Sequence, residues 1–199
     1  MEGNSKVIYL KDFFELCWPA AFQDINRDQG YEMLEQELQA VGIQAELGTK
    51  IVDKLFKVYL NNSQEQWCLC HLEIQSSPEA NFPERMHAYD YRIYDRYQKN
   101  VASLAVLTDT HKNWRPNRYV RRIWGSETTR TYEIIKLMDF KDQREELMAS
   151  DNPFALVILA QLAATETADD QELRLLSKLQ FACYLHSHGW DLEKRRSLY

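Results

Sequence analysis

Apolar and polar positions change period several times along this chain, and each change marks an element. From Gly30 to Val41 the apolar positions are Tyr31, Leu34, Leu38 and Val41, a helical spacing that stops at Gly42. Glu37 flanks the apolar stripe of that expected helix. From Lys50 to Leu60 the pattern alternates among β-formers. Asn61-Asn62-Ser63-Gln64 then signals a turn, and Trp67 to Gln75 reads as the return strand. Pro83 suits a helix first turn, with Phe82, Met86, Tyr89, Ile93 and Tyr97 at helical spacing around it. Val101 to Leu107 is short and nearly all apolar, as interior strands are. Asn152, a favoured N-cap type, and Pro153 open a helix to about Ala164, and Asp169 to His188 makes another, closed by Gly189. Helix, hairpin, helix and strand in this order predict an α/β fold with a mixed sheet, followed by C-terminal helices.

The hairpin pattern also predicts a register. Opposed residues of an antiparallel pair point to one face. With Asp53 opposite Glu73, Val52, Phe56, Val58 and Leu60 share a face with Cys68, Cys70, Leu72 and Ile74, Lys54 being the exception. The other face then gathers Asp53, Lys57, His71, Glu73 and Gln75. A slip of one residue would mix the two sets and bury the acids; a slip of two keeps the faces, so the residue opposite Asp53 stays open. Two carboxylates about 5 Å apart repel by about 3 kcal/mol at an effective dielectric of about 20, a cost that a bound cation reverses. Magnesium takes oxygen ligands and keeps several waters, so Asp53 and Glu73 are candidate ligands for Mg²⁺ or Mn²⁺. Such an ion activates water and polarises a phosphate, which suits phosphodiester cleavage. Gln75 can orient the attacking water, and Lys57 is a candidate for a compensating positive charge. The plainer reading of this face is a solvated polar surface, with His71 structural.

Charge narrows the choice of partner. The chain has 199 residues and a formal net charge of −6, so nothing global favours a polyanion, and a nucleic-acid partner must be met by a local patch. One stretch qualifies: between His111 and Arg130 lie Lys112, Arg115, Arg118, Arg121, Arg122 and Arg130 against Glu127, with Trp114, Tyr119 and Trp124 interleaved. The cations are candidates for DNA backbone contacts, and the tryptophans either stack on bases or pack in the core. Arg85, Arg92 and Arg96 form another stripe, which meets phosphates or pairs with Glu84, Asp90 and Asp95 on a solvated helix face. The length suits one domain, divided as an N-terminal segment (1–27), a core (28–140) and a C-terminal helical segment of the same domain (141–199). Cys17, Cys68, Cys70 and Cys183 form no C-x-x-C pair, which disfavours a disulfide framework or a zinc cluster and points to a reducing compartment. His186 and His188, two apart on a helix, do not face one metal. The first residues lead into no long apolar run, so neither a secretory signal nor a membrane span is expected, and the expected location is cytoplasmic.

Several runs resemble one family. They are residues 30–39 (Gly30 to Gln39), Val52-Asp53-Lys54-Leu55-Phe56-Lys57-Val58, His71-Leu72-Glu73-Ile74-Gln75-Ser76, Phe82-Pro83-Glu84-Arg85-Met86, residues 91–97, residues 101–107 and Asn152-Pro153-Phe154-Ala155. In that order they resemble bacterial transposases of the PD-(D/E)XK nuclease superfamily, relatives of the recombination-promoting nucleases. The resemblance spans roughly residues 28 to 190. It implies a restriction-endonuclease-like core, a mixed sheet flanked by helices, and metal-dependent DNA endonuclease activity. Asp53 and Glu73 would bind the metal, Glu37 would assist, and Gln75 stands where most of the superfamily has lysine. The family's usual acid-lysine-glutamate-leucine segment reads Glu35-Gln36-Glu37-Leu38 here, and the family usually continues well beyond this chain's end. Cutting both strands needs two sites, which makes a homodimer an expected partner state. The other expectation is an inactive nuclease-like domain kept for DNA binding or oligomerisation.

Overall fold

The computed structural model describes residues 8–26, 28–29, 31–34, 54–61, 67–167, 171–172 and 175. In chain order its elements are α1 (Ile8–Cys17), α2 (Pro19–Asp24), β1 (Tyr31–Met33), β2 (Lys54–Tyr59), β3 (Trp67–Gln75), α3 (Phe82–Tyr97), β4 (Val101–Leu107), β5 (Arg118–Ile123), β6 (Ser126–Thr131) and β7 (Glu133–Lys136). A 3-10 helix (Leu137–Gln143), α4 (Arg144–Ala149) and α5 (Pro153–Glu166) follow. Contacts divide the chain into two units, residues 24–136 and, together, the segments before and after them. The N-terminal segment and the C-terminal helices belong to the same unit.

The 24–136 unit is mixed α/β. Its five-stranded sheet runs β1-β2-β3-β4-β7, and β5 and β6 form a separate two-stranded ribbon. β3 is the central strand, antiparallel to β2 and parallel to β4, while β4 and β7 are parallel. Lys54 opposes Leu72, Phe56 opposes Cys70 and Val58 opposes Cys68, which is the phase predicted from the hydrophobic pattern. Val52 and Asp53 themselves lie outside the described residues. α3 supplies the crossover from β3 to β4. Its Tyr89 and Ile93 pack on Leu55 and Leu69, and its Phe82 and Met86 on Ala105, Leu107 and Tyr132. Each large apolar side chain buried there contributes about 1.5–3 kcal/mol. Phe56, Val58, Cys70 and Leu72 are buried as well. The hairpin is therefore covered on both faces, and the polar set on β3 is not a solvated surface.

The helix expected from Gly30 does not begin there. Tyr31–Met33 pairs with β2, Tyr31 opposite Val58 and Met33 opposite Phe56. Glu32 between them accepts hydrogen bonds from the Tyr59 hydroxyl (2.7 Å) and Lys57 Nζ (3.4 Å). A three-residue run satisfies both periods, and pairing with a strand far along the chain decides between them. From Glu35 on, Glu37 included, that expected helix lies outside the described residues.

In the other unit, α5 starts as expected. Asn152 accepts from Phe154 N–H (2.9 Å) as its N-cap, and its amide donates to the Asp12 carbonyl on α1 (2.9 Å). Phe13 and Phe154 meet edge to face at 5.3 Å. The helix expected from Asp169 to His188, with Cys183, His186 and His188, lies outside the described residues except at 171–172 and 175. Among the described residues no helix is long and apolar enough to cross a membrane.

Candidate functional site

Alternation along β3 directs Leu69, His71, Glu73 and Gln75 to the face that α3 covers. On α3, Arg85 lies one residue before Met86 and four before Tyr89, at the border of the buried arc. The polar end of β3 draws it inward. Glu73 is 0 % exposed, Gln75 4 % and Arg85 5 %. Arg85 Nη2 donates to Glu73 Oε1 (2.9 Å) and to Gln75 Oε1 (2.6 Å), and Nη1 donates to Glu79 Oε2. The Gln75 amide nitrogen donates to the Ser77 carbonyl (2.7 Å). His71 Nε2 stands 3.8 Å from Glu73 Oε2, its ring against Tyr89. Glu73 and Gln75 thus converge on one point, held by one nitrogen.

The electrostatics follow from that geometry. Burial opposes the charge on Arg85, but the hydrogen bond to Glu79 and the charge of Glu73 outweigh it, so its pKa rises above the ordinary value. Burial likewise opposes ionisation of Glu79, yet hydrogen bonds from Arg85 and Gln75 hold its carboxyl below the usual range. Tyr132 is pushed up by burial, with Arg85 opposing and Glu73 adding, so its phenol is an electrostatic neighbour of the pair. Its hydroxyl is buried and has no hydrogen-bond partner among the described residues.

Of the predicted site residues, Glu73 and Gln75 come together as expected on one face, while Asp53 and Glu37 lie outside the described residues. Lys57 is engaged elsewhere, by Glu32 and the Tyr59 ring, and the cation beside Glu73 is Arg85. Arg85, expected at the surface among the phosphate-contacting residues, is instead buried and committed to Glu73, Gln75 and Glu79. Lys112, Arg115, Arg118, Arg121 and Arg122 are exposed, the last three on β5. The two interleaved tryptophans part company. Trp114 packs on Phe82 at 5.6 Å, and Trp124 is 98 % exposed.

Sequence reasoning missed a second buried pair. Lys136 Nζ donates to Asp109 Oδ2 (2.8 Å) and to the Trp114 carbonyl (3.3 Å). Lys136 lies in one row with Leu107 and Gln75 across the sheet. The available signal was a lysine closing the apolar run Ile134-Ile135 and an acid just after the interior strand.

The oxygens of Glu73, Gln75 and Glu79 are hard donors of the kind Mg²⁺ takes. Among the described residues no group of three or more His, Cys, Asp or Glu is arranged to hold a metal ion. These oxygens fit Mg²⁺ in kind, and in this structure each accepts a hydrogen bond from Arg85. Comparison with protein-family models, curated proteins and solved structures gives no match.

Proposed function

We propose that this chain is a metal-dependent DNA endonuclease with a restriction-endonuclease-like core, of the transposase or recombination-promoting type. One observation carries the reading. The Glu73 and Gln75 oxygens converge on a single point on the central strand, at 2.9 and 2.6 Å from the Arg85 nitrogen there. Asp53 and Glu73 would hold the Mg²⁺ or Mn²⁺, Gln75 would position the attacking water, and Glu37 would assist. When bound, the ion supplies an activated water and neutralises charge on the phosphate. Glu73 brings negative charge on the central strand. Arg85 holds that carboxylate in place and brings the positive charge that Gln75 lacks.

Nicking of supercoiled plasmid in Mg²⁺ or Mn²⁺ tests the reading. Wild type is expected to nick, and Asp53→Ala and Glu73→Gln to fall at least about 100-fold, as for lost transition-state electrostatics. A Glu73→Gln protein that nicks like wild type overturns it.

A second reading rests on the same pair. Arg85 pairs with Glu73 and offsets its charge, as it would in an inactive nuclease-like domain kept for DNA binding or oligomerisation. Absence of nicking at any metal concentration, with DNA binding retained, selects that reading.

A further inference from the structure

The β5–β6 ribbon turns through two residues, Trp124 and Gly125, whose φ angles are both positive, 46° and 82°. Two positive φ angles are the requirement of a type I′ hairpin turn, which favours Asn, Asp or Gly. Gly125 answers that requirement, since a Cβ added there would meet nothing and only the backbone demands glycine. Trp124 does not. It is strained in the left-handed region, and at 98 % exposure no packing offsets the strain. Ile123 beside it is 57 % exposed.

The ribbon's base, in contrast, is fastened. Arg130 pairs with Asp90 of α3 and donates to the Val101 carbonyl (2.7 Å), and Tyr119 stacks on His87 at 4.6 Å. Arg118 and Arg121 stand exposed along β5, with Lys112 and Arg115 in the loop before it. Arg122 is partly offset by Glu127, its partner across the ribbon. A strained, exposed indole on an anchored, cationic ribbon suits a polyanion that offers an open base. An indole and one isoleucine are little apolar area for a lipid surface, and the cations run along the strand toward the base.

We propose that Trp124 stacks on an unpaired base of single-stranded or locally opened DNA while Arg118 and Arg121 hold its backbone. The choice of DNA rests on the nuclease reading above. The test is binding of a single-stranded oligonucleotide carrying 2-aminopurine, in chelator, so that cleavage plays no part. Wild type is expected to quench the 2-aminopurine. Trp124→Asn should abolish the quench and weaken binding about 5- to 150-fold, the range for one lost base stack. Asparagine suits the turn, so this variant keeps the hairpin and its melting temperature should not fall. Arg118→Ala with Arg121→Ala should weaken binding, keep the quench at saturation and flatten the salt dependence by about 1.4 in slope, about 0.7 per lost contact to a single strand. Unchanged DNA binding by Trp124→Asn overturns the proposal, as does Trp124-dependent binding to anionic phosphatidylserine vesicles with none to DNA. Plasmid nicking with unchanged Trp124→Asn binding removes this proposal alone. Loss of nicking with the quench intact removes the nuclease reading alone.

Discussion

Arg85 joins residues that the sequence alone keeps apart. Read on a helical wheel it belongs with Arg92 and Arg96, yet its guanidinium is bonded to Glu73, Gln75 and Glu79. Removing one member of a buried pair leaves the other charge poorly compensated, so Arg85→Ala should cost about 3–5 kcal/mol in urea unfolding. Arg85→Met combined with Glu73→Leu should cost far less, because a buried pair is often replaceable by apolar groups. Equal losses in the single and double variants would contradict this. Glu79 adds a pH dependence. Its carboxyl is held below the usual range despite burial, by hydrogen bonds from Arg85 and Gln75. A depressed carboxylate stabilises the fold above its unfolded pKa, and the contribution is lost as pH falls through the folded value. Wild type should therefore be more stable than Glu79→Gln at neutral pH, and the gap should close as pH falls through and below the ordinary carboxylate range, as read by denaturant titration.

At the scale of elements, legibility followed locality. α3, β4 and α5 announce themselves through a proline at the first turn, an unbroken apolar run and an Asn-Pro start, signals a few residues long. Asn152→Ala should cost about 1–2 kcal/mol, the upper part of the range for lost N-caps, because the Asp12 carbonyl loses its donor as well. A loss under about 0.3 kcal/mol would show that α5 needs no cap. β1 and the β5–β6 ribbon were not legible. β1 is three residues long and exists through pairing with β2, far along the chain. The ribbon has polar and basic residues on both faces, so it carries no buried-face alternation to read, and its turn begins with tryptophan instead of asparagine or aspartate.

At the scale of the whole molecule, a chain of net charge −6 presents its cations unevenly. Lys112, Arg115, Arg118, Arg121 and Arg122 are exposed within a span of eleven positions, and Arg122 is shared with Glu127. If they supply the backbone contacts, duplex binding should weaken with salt at a log–log slope of roughly −4, near −0.9 per phosphate. Fluorescence anisotropy across a salt series measures it, and a slope near zero would remove this patch from the DNA interface.

By itself the sequence determined the phase of the β2–β3 ladder, because only one phase segregates Phe56, Val58, Cys70 and Leu72 from the acids. It determined α3, β4 and the start of α5 for the same local reason. What covers the polar end of β3 was decided by tertiary structure. Alternation assigns residues to a face but says nothing of whether water, a metal or a helix lies against it. Here the parallel crossover lays α3 there and brings Arg85 to Glu73 and Gln75. The same holds for the two tryptophans of the basic stretch. Identical side chains ten residues apart end half-buried against the core and at a strained, solvent-facing tip, because one packs on Phe82 and the other lies in a turn.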